Sequence, residues 1–360
     1  MPKIAPYFSN KLIAWYLQNK RELPWRNTIN PYHIWLSEMM LQQTRVLQGL
    51  PYYLKFVEAY PKVEDLANAP EDEVLKLWQG LGYYSRARNL HATAKMVAEE
   101  MNGIFPNTYK DLLKLKGVGD YTASAIASIS FNKPEAVVDG NVYRVLSRFF
   151  GISTPINTTA GQKEFKQLAQ ELIDKDQPGT FNQAIMEFGA RFCVPQNPNC
   201  PTCIFNDSCV AFQQKKVAEL PVKIKAKPVK VRFFNYLVFL SENERTILQQ
   251  RNGKGIWQKL YEFPLIETSE EINLSTLQNL QQFKDFTAEI NIENISLYSE
   301  KPVVHKLSHQ HLNTRFWIVE TSRLGGHAEA TENAIPISEV KNYAVPVLIG
   351  NFVSDFFENY

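Results

Sequence analysis

The sequence has little of what marks a secreted, a membrane-spanning or a strongly basic protein. Its 360 residues contain only four cysteines, which is not the composition of a disulfide-stabilised secreted domain. Residues 1–7 lack the apolar core of a signal peptide, and no apolar run is long enough to cross a bilayer. The formal net charge of +2 does not by itself indicate a nucleic-acid partner. These absences predict a soluble protein of the cytoplasm or nucleus.

The length and the change of pattern along the chain predict more than one domain. Residues 1–214 carry apolar side chains at helical spacing, punctuated by proline and glycine, which favours an all-helical domain. Residues 215–230 are rich in lysine and predict an extended linker, which either follows a phosphate backbone or is simply solvated. Residues 231–360 contain predicted strands, including a strand pair around residues 241–244, and end in a predicted helix. The second domain is therefore predicted to be α+β.

Two glycines bracket one apolar residue at Gly117, Val118 and Gly119, between a helical run and an alanine-rich helix start. Glycine permits a positive φ and lets a phosphate approach the backbone N–H groups. The next helix would add its own N-terminal donors and dipole. The pattern favours a helix–hairpin–helix phosphate clamp, although an ordinary turn between two helices uses the same residues.

Two acidic residues stand out. Glu38 lies in a strongly apolar helical stretch, where burial would raise its pKa and suit it to general acid catalysis. Asp139 follows an apolar run twenty residues after Gly119 and offers a second carboxylate in a different environment. The alternatives are a solvated glutamate on a mixed helix and an aspartate that only caps the following helix.

All four cysteines fall within one short segment, in the pattern Cys193-x6-Cys200-x2-Cys203-x5-Cys209. Four thiolates in a compact loop suit either a 4Fe–4S cluster or a structural zinc ion. The spacing by itself leaves both open.

Taken in this order, the segments resemble the MutY family of adenine DNA glycosylases, within the helix–hairpin–helix glycosylase superfamily. The resemblance also covers residues 24–26, 37–44 and 80–90, and it extends over nearly the whole chain. It implies an all-α helix–hairpin–helix glycosylase domain with an iron–sulfur loop, followed by an α+β Nudix-like domain. It also implies a 4Fe–4S cofactor held by the four cysteines.

The resemblance implies a mechanism for these residues. Glu38 would protonate the extruded adenine at N7, and Asp139 would stabilise the oxocarbenium-like sugar. Tyr121 and Asn141 would support the two acids by hydrogen bonding. The remaining implied residues are Arg26 and Gln183 in the adenine pocket, and, against the DNA, Gln42, Gln43, Thr44, Tyr83 and the clamp Gly117–Gly119.

Tyr121 occupies the position at which the endonuclease III-like relatives carry a lysine. That lysine attacks the sugar as a Schiff-base nucleophile, and a phenol cannot form the imine. The resemblance therefore implies base removal without efficient strand cleavage. Three rivals stay open: a lyase acting on oxidised pyrimidines, an enzyme that excises thymine or uracil opposite guanine, and a catalytically silent DNA-binding protein.

The C-terminal half resembles the 8-oxoguanine recognition domain of the family, beginning with residues 255–264. The magnesium-binding glutamate helix of true Nudix hydrolases does not follow it, so the domain is expected to bind and not to hydrolyse. Ser308 and His309 fall where the family tests for the lesion, while Leu307 replaces the usual phenylalanine. The expected partner is double-stranded DNA with adenine opposite 8-oxoguanine or guanine, bound by a monomer at the nucleoid of a bacterial cytoplasm.

Overall fold

Helices and strands can be described for residues 4–225, 228–324 and 333–357 of a computed structural model of the chain. The chain divides into two units, one formed by Met1–Asn68 and Asn89–Ala226 and the other by Ala69–Arg88 and Lys227–Tyr360. Among the described residues, no helix is both long and apolar enough to span a membrane.

Helices make up the regular structure of the first unit, as predicted. Their bounds are α1 Ile4–Asn19, α2 Pro31–Leu41, α3 Val46–Ala59, α4 Val63–Asn68, α6 Ser85–Glu100, α7 Tyr109–Leu112, α8 Asp120–Phe131, α9 Gly140–Phe150, α10 Thr159–Leu172, α11 Pro178–Arg191 and α12 Val210–Gln213, with 3₁₀ turns at Pro24–Arg26 and Cys200–Thr202. Helix α6 begins in the second unit and continues into the first.

Local sequence sets the start of the two helices that matter most for the site. Helix α2 begins at Pro31, and the Asn30 side chain caps it by accepting from the Tyr32 N–H. Helix α9 begins after Asp139, whose carboxylate accepts from the backbone N–H groups of Asn141 and Val142. Asp139 therefore caps the following helix, as one of the two alternatives for this residue predicted. The core packs α1, α8, α9 and α11 together and thereby holds α9, while α2 packs against α8.

Residues 69–88 pack with the second unit, although the sequence analysis included them in the helical domain of residues 1–214. They contain helix α5 (Glu71–Leu77). The Lys76 Nζ donates to the carbonyl of Tyr343 at 2.9 Å, and the Arg88 guanidinium donates to the carbonyl of Gln258 at 2.7 Å. A segment between helices of the first unit thus belongs by its contacts to the second.

The second unit is built on a mixed sheet, which confirms the predicted α+β class. The strands are β1 Lys230–Ser241, β2 Arg245–Ile247, β3 Gln249–Gln250, β4 Tyr261–Glu262, β5 Leu265–Thr268, β6 Ile292–Leu297, β7 Val303–Lys306, β8 Gln310–Thr321 and β9 Ala334–Pro336, and the helices are α13 Leu274–Asn279, α14 Gln281–Thr287 and α15 Val347–Phe357. The order is β5-β1-β8-β6, with β7 also paired to β8. Strands β1 and β8 run parallel, with Phe234 opposite Thr314.

One predicted feature of this unit is wrong. The strand pair expected around residues 241–244 does not form a ladder in the described residues, because β2 pairs with β9 and β1 pairs with β5 and β8. The turn is present, with the Glu244 N–H donating to the carbonyl of Ser241 at 2.9 Å. The ladder between β1 and β8 has twelve residue pairs, whereas β2 has only three residues that could pair with β1.

Candidate active site

A cavity of the first unit brings the predicted catalytic and base-pocket residues together. All six of them line it: Arg26, Glu38, Tyr121, Asp139, Asn141 and Gln183. They come from the 3₁₀ turn, from α2, α8 and α11, and from the start of α9. Apolar side chains such as Leu41 and Met186 form much of the remaining wall, so charges inside it are poorly solvated.

Glu38 is buried in the wall of this cavity. Burial raises the pKa of its carboxyl to about 7, and the negative charge of Asp139 acts in the same direction. A hydrogen bond with Tyr121 and the charge of Arg26 lower the pKa, but they do not outweigh burial. A large fraction of Glu38 is therefore protonated at neutral pH, as a general acid requires.

Asp139 is held in a fixed orientation by three donors. Its Oδ1 accepts from the N–H of Asn141 at 2.9 Å and from that of Val142 at 2.8 Å, and its Oδ2 accepts from the Asn141 side chain at 2.7 Å. The pKa of Asp139 is raised on balance, because burial outweighs these bonds and the charge of Arg144, which lower it. Asn141 is thereby placed where the sequence analysis expected it, beside Asp139.

Tyr121 interacts electrostatically with both acids. Burial raises the pKa of its hydroxyl well above the usual value, and Glu38 and Asp139 add to the shift. The hydroxyl also donates to the Met186 sulfur at 3.1 Å. The described residues that line the cavity include no lysine, so no amine is present to form an imine with a sugar.

Three residues of the site were missed by the sequence analysis. Glu187 is buried and accepts from Arg21, with Nε at 2.7 Å from its Oε1, and from Arg26, with NH2 at 2.7 Å from its Oε2. Tyr16 donates to the Gln183 Oε1 at 2.5 Å. The four-residue spacing of Gln183 and Glu187 on α11 was the signal that both share one helix face.

The glycine turn has the geometry of a hairpin between α7 and α8. Gly117 has a φ of +77°, the left-handed region that favours glycine, and Gly119 is the N-terminal cap of α8. Both glycines are exposed, whereas Val118 is buried and anchors the turn. A Cβ on Gly117 would lie 2.8 Å from the Cβ of Asn89, so no other residue fits there without a shift.

The α2–α3 connection carries the other DNA-contact candidates of the first unit. Gln42 donates to the Thr122 hydroxyl at 3.2 Å, and Thr44 lines the cavity. Gln43 is exposed and has a φ of +55°, in the left-handed region of the backbone. The three residues therefore lie at the edge of the site that contains Glu38.

Tyr83, Ser308 and His309 lie in the second unit. The Tyr83 side chain is 43% exposed, and its hydroxyl shares a short hydrogen bond with the Ser308 hydroxyl. Ser308 and His309 are exposed in the turn between β7 and β8. Tyr83 thus belongs with the predicted lesion-testing hairpin and not with the unit that carries Gln43.

The four cysteines line a second cavity of the first unit together with Arg148. The Arg148 guanidinium approaches the Cys193 sulfur at 3.5 Å, and the Phe205 N–H donates to the Cys203 sulfur at 3.4 Å. Among the described residues, no three or more Cys, His, Asp or Glu side chains are arranged to hold a single metal ion. The thiols converge on one cavity without closing around one ion.

Arg144 connects the cysteine loop to the catalytic cavity. Its guanidinium donates to the Asn141 Oδ1 at 2.8 Å and to the carbonyl of Cys193 at 2.7 Å. Arg144 thus links the cysteine segment to the Asn141 side chain, which donates to Asp139.

Known proteins resemble both units. Residues 36–175 match the HhH-GPD superfamily base excision DNA repair protein family, and residues 235–355 match the NUDIX domain. An adenine DNA glycosylase of Buchnera aphidicola subsp. Baizongia pistaciae is 36% identical over 314 residues, which cover 87% of this chain and 86% of that protein. The adenine DNA glycosylase of Mus musculus is 46% identical over 59% of this chain and 43% of its own length.

A solved structure agrees on the first unit. A thermostable thymine-DNA glycosylase is 31% identical and superposes with a TM-score of 0.55, covering 59% of this chain and 98% of its own. Family, fold and cavity chemistry agree, and the chain belongs to the adenine DNA glycosylase family of helix–hairpin–helix base excision repair enzymes.

Proposed function

We propose that this glycosylase acts as a monomer on double-stranded DNA and removes adenine paired with 8-oxoguanine or guanine, without cutting the strand. The observation that carries the proposal is the meeting of Glu38 and Asp139 in one cavity, in different hydrogen-bonding environments. One acid that keeps its proton and one carboxylate fixed by three donors are the pair that glycosidic bond cleavage requires.

The reaction follows from these roles. The flipped adenine enters the cavity, and Glu38 transfers its proton to N7 of the base. The bond from the sugar C1′ to N9 breaks, and its electron pair stays with the neutral leaving adenine. Asp139 stabilises the positive charge that develops on the sugar, and a water molecule adds to C1′ and gives a proton to the ionised Glu38, which restores the acid. Because Tyr121 offers no amine, the product is an abasic site in an intact strand.

The wall of the cavity supports adenine as the base. Tyr16 occupies the Gln183 Oε1, so the amino group is the end of that side chain that can donate to a base. Adenine has ring nitrogens that accept such a bond and that a carboxylic acid can protonate. The similar thymine-DNA glycosylase makes thymine the second candidate, and thymine offers no ring nitrogen with a free lone pair.

Recognition of 8-oxoguanine is assigned to the hairpin of the second unit. Ser308 and His309 are exposed at its tip and supply polar groups. The contact between Ser308 and Tyr83 supports a shared role, because it links the hairpin to the exposed aromatic ring expected to enter the duplex. A DNA substrate would place the protein at the nucleoid of a bacterial cytoplasm.

The cysteine cavity supports a 4Fe–4S cluster over zinc. Zinc needs four sulfurs at about 2.3 Å from one ion, and the described thiols are not arranged around a single ion. A cluster is larger, and Cys193, Cys200, Cys203 and Cys209 would hold it while Arg148 compensates part of its negative charge. When bound, the cluster would cross-link the segment from Cys193 to Cys209 to itself.

The test uses a labelled duplex with one adenine opposite 8-oxoguanine, followed or not followed by alkali. We expect strand breakage only after alkali, and its loss in Glu38→Gln. Breakage without alkali would mean a lyase, and reaction of a thymine–guanine duplex alone would mean the wrong base. Tight binding without reaction on either duplex would favour a silent DNA-binding protein.

A further inference from the structure

Glu187 holds two arginines of the cavity in place. Its buried carboxylate accepts two bonds from Arg21, at 2.7 Å and 2.5 Å, and one from Arg26, at 2.7 Å. Arg26 also donates to the carbonyl of Arg21 at 3.0 Å and lies over the Tyr16 ring at 5.4 Å. The guanidinium of Arg26 therefore has a single position in the wall of the cavity.

The three charges lie in the same cavity as Glu38. The charged and titratable groups that line it, from every element packed around it, are Arg21, Arg26, Glu38, Tyr121, Asp139 and Glu187. Asp139 is held by Asn141, and Tyr121 hydrogen-bonds with Glu38 and with the Met186 sulfur. The balance of charge on the arginine side of the cavity therefore depends on Glu187.

Glu187 is ionised throughout the working range. Burial would raise its pKa, but the hydrogen bonds from Arg21 and Arg26 lower it to about 2. Glu187 and its two arginines together carry a net charge of +1. Neutralising Glu187 would raise that net charge to +2. Arg26 already acts on Glu38 in the direction that favours loss of the proton. In an apolar cavity an added positive charge acts strongly on a neighbouring acid.

We propose that Glu187 is a positioning residue of the excision reaction: it balances Arg21 and Arg26, so that both arginines line the base cavity while Glu38 keeps the proton it transfers. The inference rests on the proposed role of Glu38 as the general acid. Under this proposal, the charge of Glu187 offsets the charges of the two arginines. The arginines can then position the base without causing Glu38 to lose its proton.

The effect should appear in the pH dependence of the rate. Excision should slow as the pH rises through the pKa of Glu38, because the acid is then ionised. Glu187→Gln should move this alkaline limb to lower pH by about one unit, which is about a tenfold lower rate above the limb. Below the limb, at about pH 5, the loss of rate should be smaller than it is above the limb, because Glu38 keeps its proton there in both proteins.

The reverse change gives the opposite sign. Arg21→Gln removes one positive charge and leaves Glu187 paired with Arg26, so the alkaline limb should move to higher pH. The double variant carries one charge fewer of each sign, and its limb should return close to that of the original protein. Glu164→Gln, at an exposed position of α10, is the matched control and should leave the limb in place.

The measurement is the single-turnover rate of adenine release between about pH 5 and pH 9, with each variant's melting temperature recorded. Opposite shifts for Glu187→Gln and Arg21→Gln support the proposal. An unmoved limb, or an equal loss of rate at every pH, would overturn it. If Glu187→Gln does not fold, Arg21→Gln alone still decides the sign. Full activity of Glu38→Gln would instead contradict the proposed function.

Discussion

At the scale of single residues, burial of Glu38 makes the stability of the protein depend on pH. Its pKa of about 7 in the folded protein lies above the ordinary value of 4.5, because burial disfavours the charge. The neutral acid is tolerated in the cavity, and the carboxylate is not. Its contribution to stability is therefore complete below about pH 4.5 and is lost as the pH rises through about 7.

Replacement of Glu38 should therefore stabilise the protein at alkaline pH. Glu38→Gln removes the buried charge, and the gain in unfolding free energy should grow from near zero at pH 4.5 to as much as about 3 kcal/mol at pH 8. Denaturant titration at several pH values measures it. The Glu164→Gln control should show no such trend, and a Glu38→Gln gain independent of pH would contradict the buried-acid assignment.

Glu38 and Asp139 could be predicted from the sequence because their signals are local: an acid in an apolar stretch, and an aspartate before a helix. Glu187 could not, because its importance comes from Arg21 and Arg26, more than 160 positions away in the chain. Tyr16 was missed for the same reason, since its partner Gln183 lies on another helix.

At the scale of secondary-structure elements, the two glycines of the hairpin between α7 and α8 differ in what they contribute to stability. Gly117 needs its positive φ, and a Cβ there would press on Asn89. Gly119 has an ordinary φ of −95°, and a Cβ there would meet no atom within 4 Å. The first glycine is required by the turn itself, whereas the turn does not require the second, and we expect Gly119 to matter only if a phosphate approaches the N-terminus of α8.

The two glycines should therefore respond differently to alanine. Gly117→Ala should cost about 1–2 kcal/mol of stability and weaken DNA binding. Gly119→Ala should leave stability within about 0.5 kcal/mol and still weaken binding about fivefold, because the methyl group blocks the phosphate. Melting curves and affinities for an uncut duplex, measured in the Glu38→Gln background, give both values. Unchanged affinity of Gly119→Ala would remove the phosphate clamp from this turn.

At the scale of the whole molecule, the chain does not divide where its composition changes. Residues 69–88 follow α4 in sequence and include the first turn of α6, yet they pack with the residues that follow Lys227. Val74, Leu75 and Trp78 of this segment are buried. A cut in the basic linker would therefore leave part of the second unit attached to the first.

A truncated protein of residues 1–225 should reveal this. Its segment 69–88 would lose its packing partners, so we expect rapid proteolysis within that segment and a lower melting temperature than the full chain. Limited proteolysis followed by mass spectrometry locates the cuts. The full chain with Glu164→Gln is the control, because this exposed substitution on α10 keeps the packing of segment 69–88. A truncated protein as resistant as the full chain would contradict the division.

The sequence by itself determined the family and indicated the two acids of the cavity, the glycine hairpin and the cysteine cluster, since each is marked by residue types at short spacing. The tertiary structure alone decided which distant groups complete the cavity, how β1 pairs and where residues 69–88 belong. The physical reason is the same in each case: charge balance, strand pairing and burial are set by neighbours in space, and in this chain those neighbours lie far apart in sequence.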